Sequence, residues 1–302
     1  MRRLTAILVL PLVLMGPLPI RSQIVDPPEG PLSEEAAAQL RRAVGNADPG
    51  VVARLAHSLA PSDILAAIYR GGREQRIIAV EAAGYLEDPW PMIPYLVALM
   101  TAGERQLASR SAGALVMAME RSVSRPPDGV RQPQARVRQL AGALEMVALD
   151  DRLALDIRCA ALRVIGLLSH LSGVKIEPPA PLFDDPEEAL RGAALALLEP
   201  PLEEDVLGRL VKLAKGETDP VLRGQAARLL CENALAHGVE APSSDLEKVL
   251  IQVVESAKGP NETLSLLGCL ARFPPEGRAS IVDAAMKHQD PSIGKYWEGL
   301  KD

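Results

Sequence analysis

Aromatic side chains are almost missing from this sequence: 2 Trp, 4 Tyr and 2 Phe make up 3% of its 302 residues. Hydrophobic residues nevertheless reach 48%, so a core has to be assembled from Ala, Leu, Val and Ile. Small and unbranched side chains form helices well and let helices approach closely. Sheets draw instead on β-branched and aromatic residues. The expectation is an all-α fold.

Histidine is scarce as well. His57, His170, His237 and His288 stand far apart, without a His-x-x-His or His-x-x-x-His spacing, so they do not form a converging set of metal ligands. The sequence has no Gly-x-Ser-x-Gly elbow for a nucleophile and no Gly-x-x-x-x-Gly-Lys loop for a phosphate. The acidic pairs Asp150-Asp151, Glu187-Glu188 and Glu203-Glu204 fall at expected helix starts, where negative charge complements the helix dipole. No catalytic residue, cofactor site or metal ligand emerges from the residues.

What is abundant is repetition. Arg76-Ile-Ile-Ala-Val-Glu-Ala-Ala-Gly, Arg105-Gln-Leu-Ala-Ser-Arg-Ser-Ala-Gly, Arg158-Cys-Ala-Ala-Leu-Arg-Val-Ile-Gly, Arg191-Gly-Ala-Ala-Leu-Ala-Leu-Leu and Arg223-Gly-Gln-Ala-Ala-Arg-Leu-Leu share an arginine followed by a small-residue helix. Aligned on that arginine, the steps are 29, 53, 33 and 32 residues. A period of roughly 30–45 residues is the mark of an α-solenoid, in which each unit buries its apolar face only against its neighbours. Asp-Pro recurs at 48–49, 88–89, 185–186, 219–220 and 290–291. Each pair suits a helix start: the carboxylate accepts orphan N–H groups and the proline presets the first turn. Ser244 with Glu247 reads as a capping box, and Gly216 and Gly259-Pro260 as helix stops. Between these signals, series such as Val206, Leu207, Leu210, Leu213, Ala214 follow helical spacing. Fifteen helices are expected between residues 33 and 300. Pro-rich loops are expected at 122–134 and 174–185.

The units beginning Asp185-Pro-Glu-Glu-Ala-Leu-Arg and Asp219-Pro-Val-Leu-Arg resemble HEAT repeats, most nearly the short bacterial type also seen in phycobilisome-lyase-like proteins. The likeness is best over 151–237 and fair over 73–121. It implies a superhelix of stacked antiparallel helix pairs spanning residues 33–302. Enzymes are known among HEAT-like proteins. The hydroxylases use His-Glu pairs as di-iron ligands, and no histidine here is followed by Glu. The DNA glycosylases need a basic, aromatic-bearing face, and this chain carries a net charge of −6.

Residues 1–22 form a separate object. Met1-Arg2-Arg3 is basic, 4–20 is apolar apart from Thr5 and Gly16, and polar sequence resumes at Arg21. That layout resembles a secretory signal peptide, with an uncleaved N-terminal anchor as the alternative. Residues 23–32, rich in Pro and Gly, read as a disordered lead-in. Loss of 1–22 removes three arginines and makes the net charge more negative, which disfavours nucleic acid as a partner. Three cysteines in an exported chain leave at least one unpaired. Cys159 occupies the small-residue position of Gly192 and Gly224. Cys231 and Cys269, about one repeat apart, read as free buried thiols, with an inter-repeat disulfide as the alternative.

Two sets of arginines are candidate partner-binding residues. Arg76, Arg105, Arg158, Arg191 and Arg223 read first as a structural ladder, bonding loop carbonyls or acidic caps of neighbouring repeats, and second as donors for an acidic partner. Arg121, Arg125, Arg131, Arg136 and Arg138 face only Asp128 in their stretch. They could contact an anionic protein or, transiently, membrane head groups. Trp90 and Trp297 read as core or end-cap residues. The expected function is a non-enzymatic protein–protein scaffold or adaptor in the bacterial periplasm or cell envelope. The alternatives are a lyase-like accessory or cofactor chaperone, and a structural protein anchored at the inner membrane.

Overall fold

The computed structural model describes residues 33–44, 48–124, 133–257, 259–287 and 290–300. Among them are fifteen α-helices, one 3-10 helix and no strand. The helices are α1 (Glu34–Val44), α2 (Pro49–Ser58), α3 (Pro61–Arg70), α4 (Arg73–Ala83), α5 (Ile93–Met100), α6 (Arg105–Ser124), α7 (Gln134–Leu149) and α8 (Leu155–Ser172). After the 3-10 helix Ala180–Asp184 come α9 (Glu188–Leu195), α10 (Glu204–Gly216), α11 (Pro220–Ala236), α12 (Ser244–Glu255), α13 (Pro260–Leu270), α14 (Pro275–Met286) and α15 (Pro291–Gly299). The all-α expectation holds, helix for helix. Residues 1–32, with the signal-like segment and lead-in, lie outside the described residues, as do Arg125, Arg131 and His288.

Packing follows chain order. Helices pair as α3–α4, α5–α6, α7–α8, α10–α11, α12–α13 and α14–α15. The second members touch one another in series, α4 to α6 to α8 to α9 to α11 to α13 to α15. The first members do the same for α5–α7 and for α10–α12–α14. One apolar core runs through all of these contacts, from Ala36 to Trp297. Four of the eight aromatics, Phe183, Phe273, Trp90 and Trp297, are buried, while Tyr69 and Tyr296 are exposed. Arg278 sits over the Trp297 ring at 4.9 Å, near the end of the array.

Several local signals act as expected. Asp48, Asp219 and Asp290 accept the first-turn N–H of Val51 (2.9 Å), Leu222 (2.8 Å) and Ser292 (2.8 Å). Asp88 and Asp185 do not cap helices. They accept from Trp90 and Glu187 within turns, and α5 and α9 begin later, at Ile93 and Glu188. The cap of α12 is Ser243, one residue before the expected Ser244, and its hydroxyl accepts from Leu246 at 3.3 Å. Gly216 lies inside the last turn of α10, and Gly259 precedes α13 as its N-cap instead of ending α12. The left-handed C-terminal turn appears elsewhere, at Gly173 with φ 66°, which closes α8. A residue with a Cβ would be strained there.

The segment 174–185 departs from a plain loop. It folds into the 3-10 helix, whose Leu182 and Phe183 are buried in the core and which packs against both α9 and α10. Asp184 at its end receives Arg209 (2.6 Å) and Lys212 (2.5 Å) of α10. One short turn thus takes the place of a first helix in front of α9. Proline at 178, 179, 181 and 186 prevents a longer helix by removing donors. Phe183→Ala should therefore destabilise the chain by about 3–5 kcal/mol, read as a lower midpoint in chemical denaturation. A surface loop would tolerate the change within about 0.5 kcal/mol.

Candidate functional site

The recurrent arginine holds one register. The backbone N–H of Arg76, Arg158, Arg191 and Arg223 each donates to the N-cap carbonyl of its own helix, from Gly72, Ala154, Glu187 and Asp219. Each is the fourth helical residue, which aims a long side chain back over the preceding loop. In α6 the residue with that bond, Ala108 to the Glu104 carbonyl at 3.0 Å, is an alanine. Arg105, aligned with the others by sequence, stands three residues too early and is exposed at the helix start. The extra residues before Arg158 belong to the long α6 and the stretch after it, so a constant step could not be read across them.

The four in-register guanidinium groups turn inward. Arg76 donates to the Ile68 carbonyl (3.0 Å) and to Glu104 (3.2 Å). Arg158 reaches the Ala148 carbonyl (2.8 Å) and Asp185 (2.6 Å). Arg191 makes two bonds to Glu217 (2.7 and 2.9 Å) and one to the Asp185 carbonyl (2.8 Å). Arg223 meets Glu262 through Nε (2.8 Å) and the Glu217 carbonyl (3.2 Å). Every one therefore clamps the end of the preceding segment to a carboxylate of the following unit. Arg158 and Arg223 are buried, where loss of one partner of such a pair costs about 3–5 kcal/mol because the other charge is stranded. The structural ladder describes these four.

After Arg158, Arg191 and Arg223 the next residue is small for a matching reason, whereas Ile77 follows Arg76. A Cβ on Gly224 would stand 3.1 Å from the Glu262 Cα, and one on Gly192 would stand 3.0 Å from Leu222. Successive helices nearly touch here, so Cys159 sits where bulk is excluded, and burial pushes its thiol up.

The other candidate arginines behave differently. Arg121 lies over the Tyr85 ring at 5.6 Å. Arg136 donates to the Trp90 carbonyl at 3.1 Å, and Arg138 is exposed on α7. Among the described residues no group of His, Cys, Asp and Glu could hold a metal ion. No single described helix is long and apolar enough to cross a membrane.

The surface along α6 belongs to a face of second helices that the sequence suggests for partner binding, carrying Arg76, Glu81, Arg105, Arg110, Arg158, Arg163, Arg191 and Arg228, but its clefts are not legible there. Helix α6 has 20 residues against 11 in α4, so it extends about 30 Å against about 16 Å, and its exposed side is lined by clefts along its length. At its start, Arg73, Arg105, Gln106, Ser109 and Asp156 surround a cleft of about 490 Å³. Its middle borders one of about 560 Å³ with an apolar floor of Val52, Ile77, Ile78, Ala114 and Met117. At its end, past the last turn of α4, His57, Glu87, Met117, Glu120 and Arg121 line about 680 Å³. The three clefts succeed one another along α6 as a trough, Ser109 and Arg110 lining the first two and Met117 the last two. Gly113 opens its centre, since a Cβ there would meet nothing within 4 Å.

The rims are charged and mutually satisfied. Arg110 pairs with Glu81 at 2.8 Å, Arg163 with Glu120, and Ser109 donates to Asp156 at 2.7 Å. These groups bridge α4, α6 and α8 where Ala108 leaves the ladder without a rung. The advance signal was the charge carried by this face of successive second helices, at Glu81, Arg105, Arg110 and Arg163. The depth of the trough depends on helix lengths that the sequence did not reveal.

No family model matches this chain, and no curated protein or solved structure matches it either.

Glu217 gives the ladder a pH signature. Burial pushes its carboxyl up, but the Arg191 bonds, the backbone N–H groups of Asp219 and Thr218 and the Arg191 charge outweigh this and hold it below the usual range. A carboxylate depressed in the fold stabilises it above the unfolded value and ceases to do so as pH falls through the folded value. Glu217→Gln should therefore be less stable than the parent chain at pH 7. Its unfolding midpoint should then converge toward the parent's as pH drops below about 4.5.

Proposed function

We propose that the chain is a HEAT-like α-solenoid acting as a non-enzymatic scaffold, which holds a segment of another protein along the α6 trough. The serial contacts of first helices with first and second with second support the solenoid, as does the arginine that clamps one unit to the next. The observation that carries the binding role is the trough itself, with an apolar floor between charged rims and a length of about 30 Å. That length suits an extended segment of about nine residues. Apolar side chains would sit over Ile77, Ala114 and Met117, and polar groups would meet Arg105 and Arg121 at the ends. The rim charges are paired with each other across helices instead of converging on one point, which favours holding over chemistry.

The basic, then apolar, then polar order of residues 1–22 supports action outside the cytoplasm, in the periplasm or cell envelope. N-terminal sequencing of the mature protein checks this: a start near Gln23 is the expected result, and a retained Met1 in membrane fractions favours the anchored form.

Gly113→Trp fills the trough without touching the ladder. A photo-reactive residue at 117 should crosslink a partner from envelope fractions, while one at the exposed Met146 on α7 should not. Gly113→Trp should lower the crosslinked yield at least tenfold while leaving the unfolding midpoint unchanged or raised, since glycine is a poor helix former by about 1 kcal/mol. Equal yields from 117 and 146 would remove the trough from the proposal. A coloured or metal-bearing purified protein would point instead to the cofactor-chaperone reading.

A further inference from the structure

The two buried cysteines of the C-terminal half are partners in space. Cys231 is in α11 and Cys269 in α13, both buried. Their helices pack side by side as successive members of one layer. The two helices approach closely where a Cβ on Gly224 would stand 3.1 Å from the Glu262 Cα. Cys231 and Cys269 each lie seven residues, or two turns, further along from that contact, which brings them to the same seam. Cys269 and burial together push the Cys231 thiol up. Cys159 lies in α8, which α9 separates from α11 in the same series of helices.

We propose that Cys231 and Cys269 form a disulfide that staples α11 to α13. The bond rests on the thiol juxtaposition alone and stands apart from the trough reading. The oxidant is a disulfide donor, either an oxidised low-molecular-weight thiol or the disulfide of a thiol oxidase. One cysteine, as thiolate, attacks the donor disulfide and releases one donor thiol. The second cysteine then displaces the other donor thiol from the mixed disulfide. Two cysteine thiols are thereby oxidised to one disulfide, and one donor disulfide is reduced to two thiols. In the folded protein both sulfur atoms are buried, hence slow to react. The exchange therefore belongs to folding, before α13 closes over α11. Once formed, the bridge closes a loop of roughly 40 residues and resists reduction by the same burial.

The test refolds the reduced, denatured wild-type chain in a mixture of reduced and oxidised glutathione, followed by alkylation in denaturant, intact mass and tryptic mapping. The expected result is one alkyl group per chain, on Cys159, and a linked peptide pair joining Cys231 to Cys269. In a Cys159→Ser chain, full reduction should lower the thermal midpoint by at least about 5 °C. It should leave the midpoint of a Cys159→Ser, Cys231→Ala, Cys269→Ala chain unchanged. Three alkyl groups on the refolded wild-type chain, a stable glutathione adduct at either site, or a bridge through Cys159 would overturn the proposal.

Discussion

The structure depends on a guanidinium group placed at the fourth residue of a helix and turned back into the joint between units. From that position it reaches two acceptors that the chain would otherwise leave unsatisfied: a carbonyl at the end of the preceding segment and a carboxylate of the unit ahead. An array built mostly from alanine and leucine has little shape to fix how one layer sits on the next. The arginine supplies that definition because its planar donors accept only a narrow arrangement of partners. The small residue beside it lets the helices approach closely enough for the bonds to form, as Gly224 does against Glu262. Register, spacing and polar satisfaction are thus set at one point in each of the four units that carry the arginine.

The helices were legible because their signals are local. Asp48, Asp219 and Asp290 cap the helices they precede, and proline fixes the first turn after each. At Asp185 the reading slipped because the side chain is claimed by something distant in sequence. Asp185 gives its carboxylate to Arg158, and the helix it was expected to start begins three residues later. The segment holding Phe183 reads as a loop because prolines crowd it, yet two large side chains pull it into the core. Arg105 joined the wrong column because motif similarity outvoted helix phase. Only the backbone bond of Ala108 reveals the shift.

The trough was invisible for a related reason. It arises from the difference in length between α4 and α6 and from the absence of a ladder arginine at Ala108. No single residue announces either. What replaces the missing clamp is a set of more exposed pairs, Arg110 with Glu81 and Arg163 with Glu120. Pairs of this kind contribute little to stability, about 0–1 kcal/mol each. The clefts along α6 therefore coincide with the joint that lacks a buried arginine clamp.

Asp185 and Glu217 each serve two arginines. Asp185 offers its carboxylate to Arg158 and its carbonyl to Arg191, and Glu217 does the same for Arg191 and Arg223. Arg158, Asp185, Arg191, Glu217, Arg223 and Glu262 consequently form one unbroken polar thread from α8 to α13, while Arg76 and Glu104 stand outside it. Stiffness is therefore distributed unevenly along the molecule. The stretch from α8 to α13 is joined by one continuous chain of charge-assisted bonds, so a displacement at one joint is passed to the next.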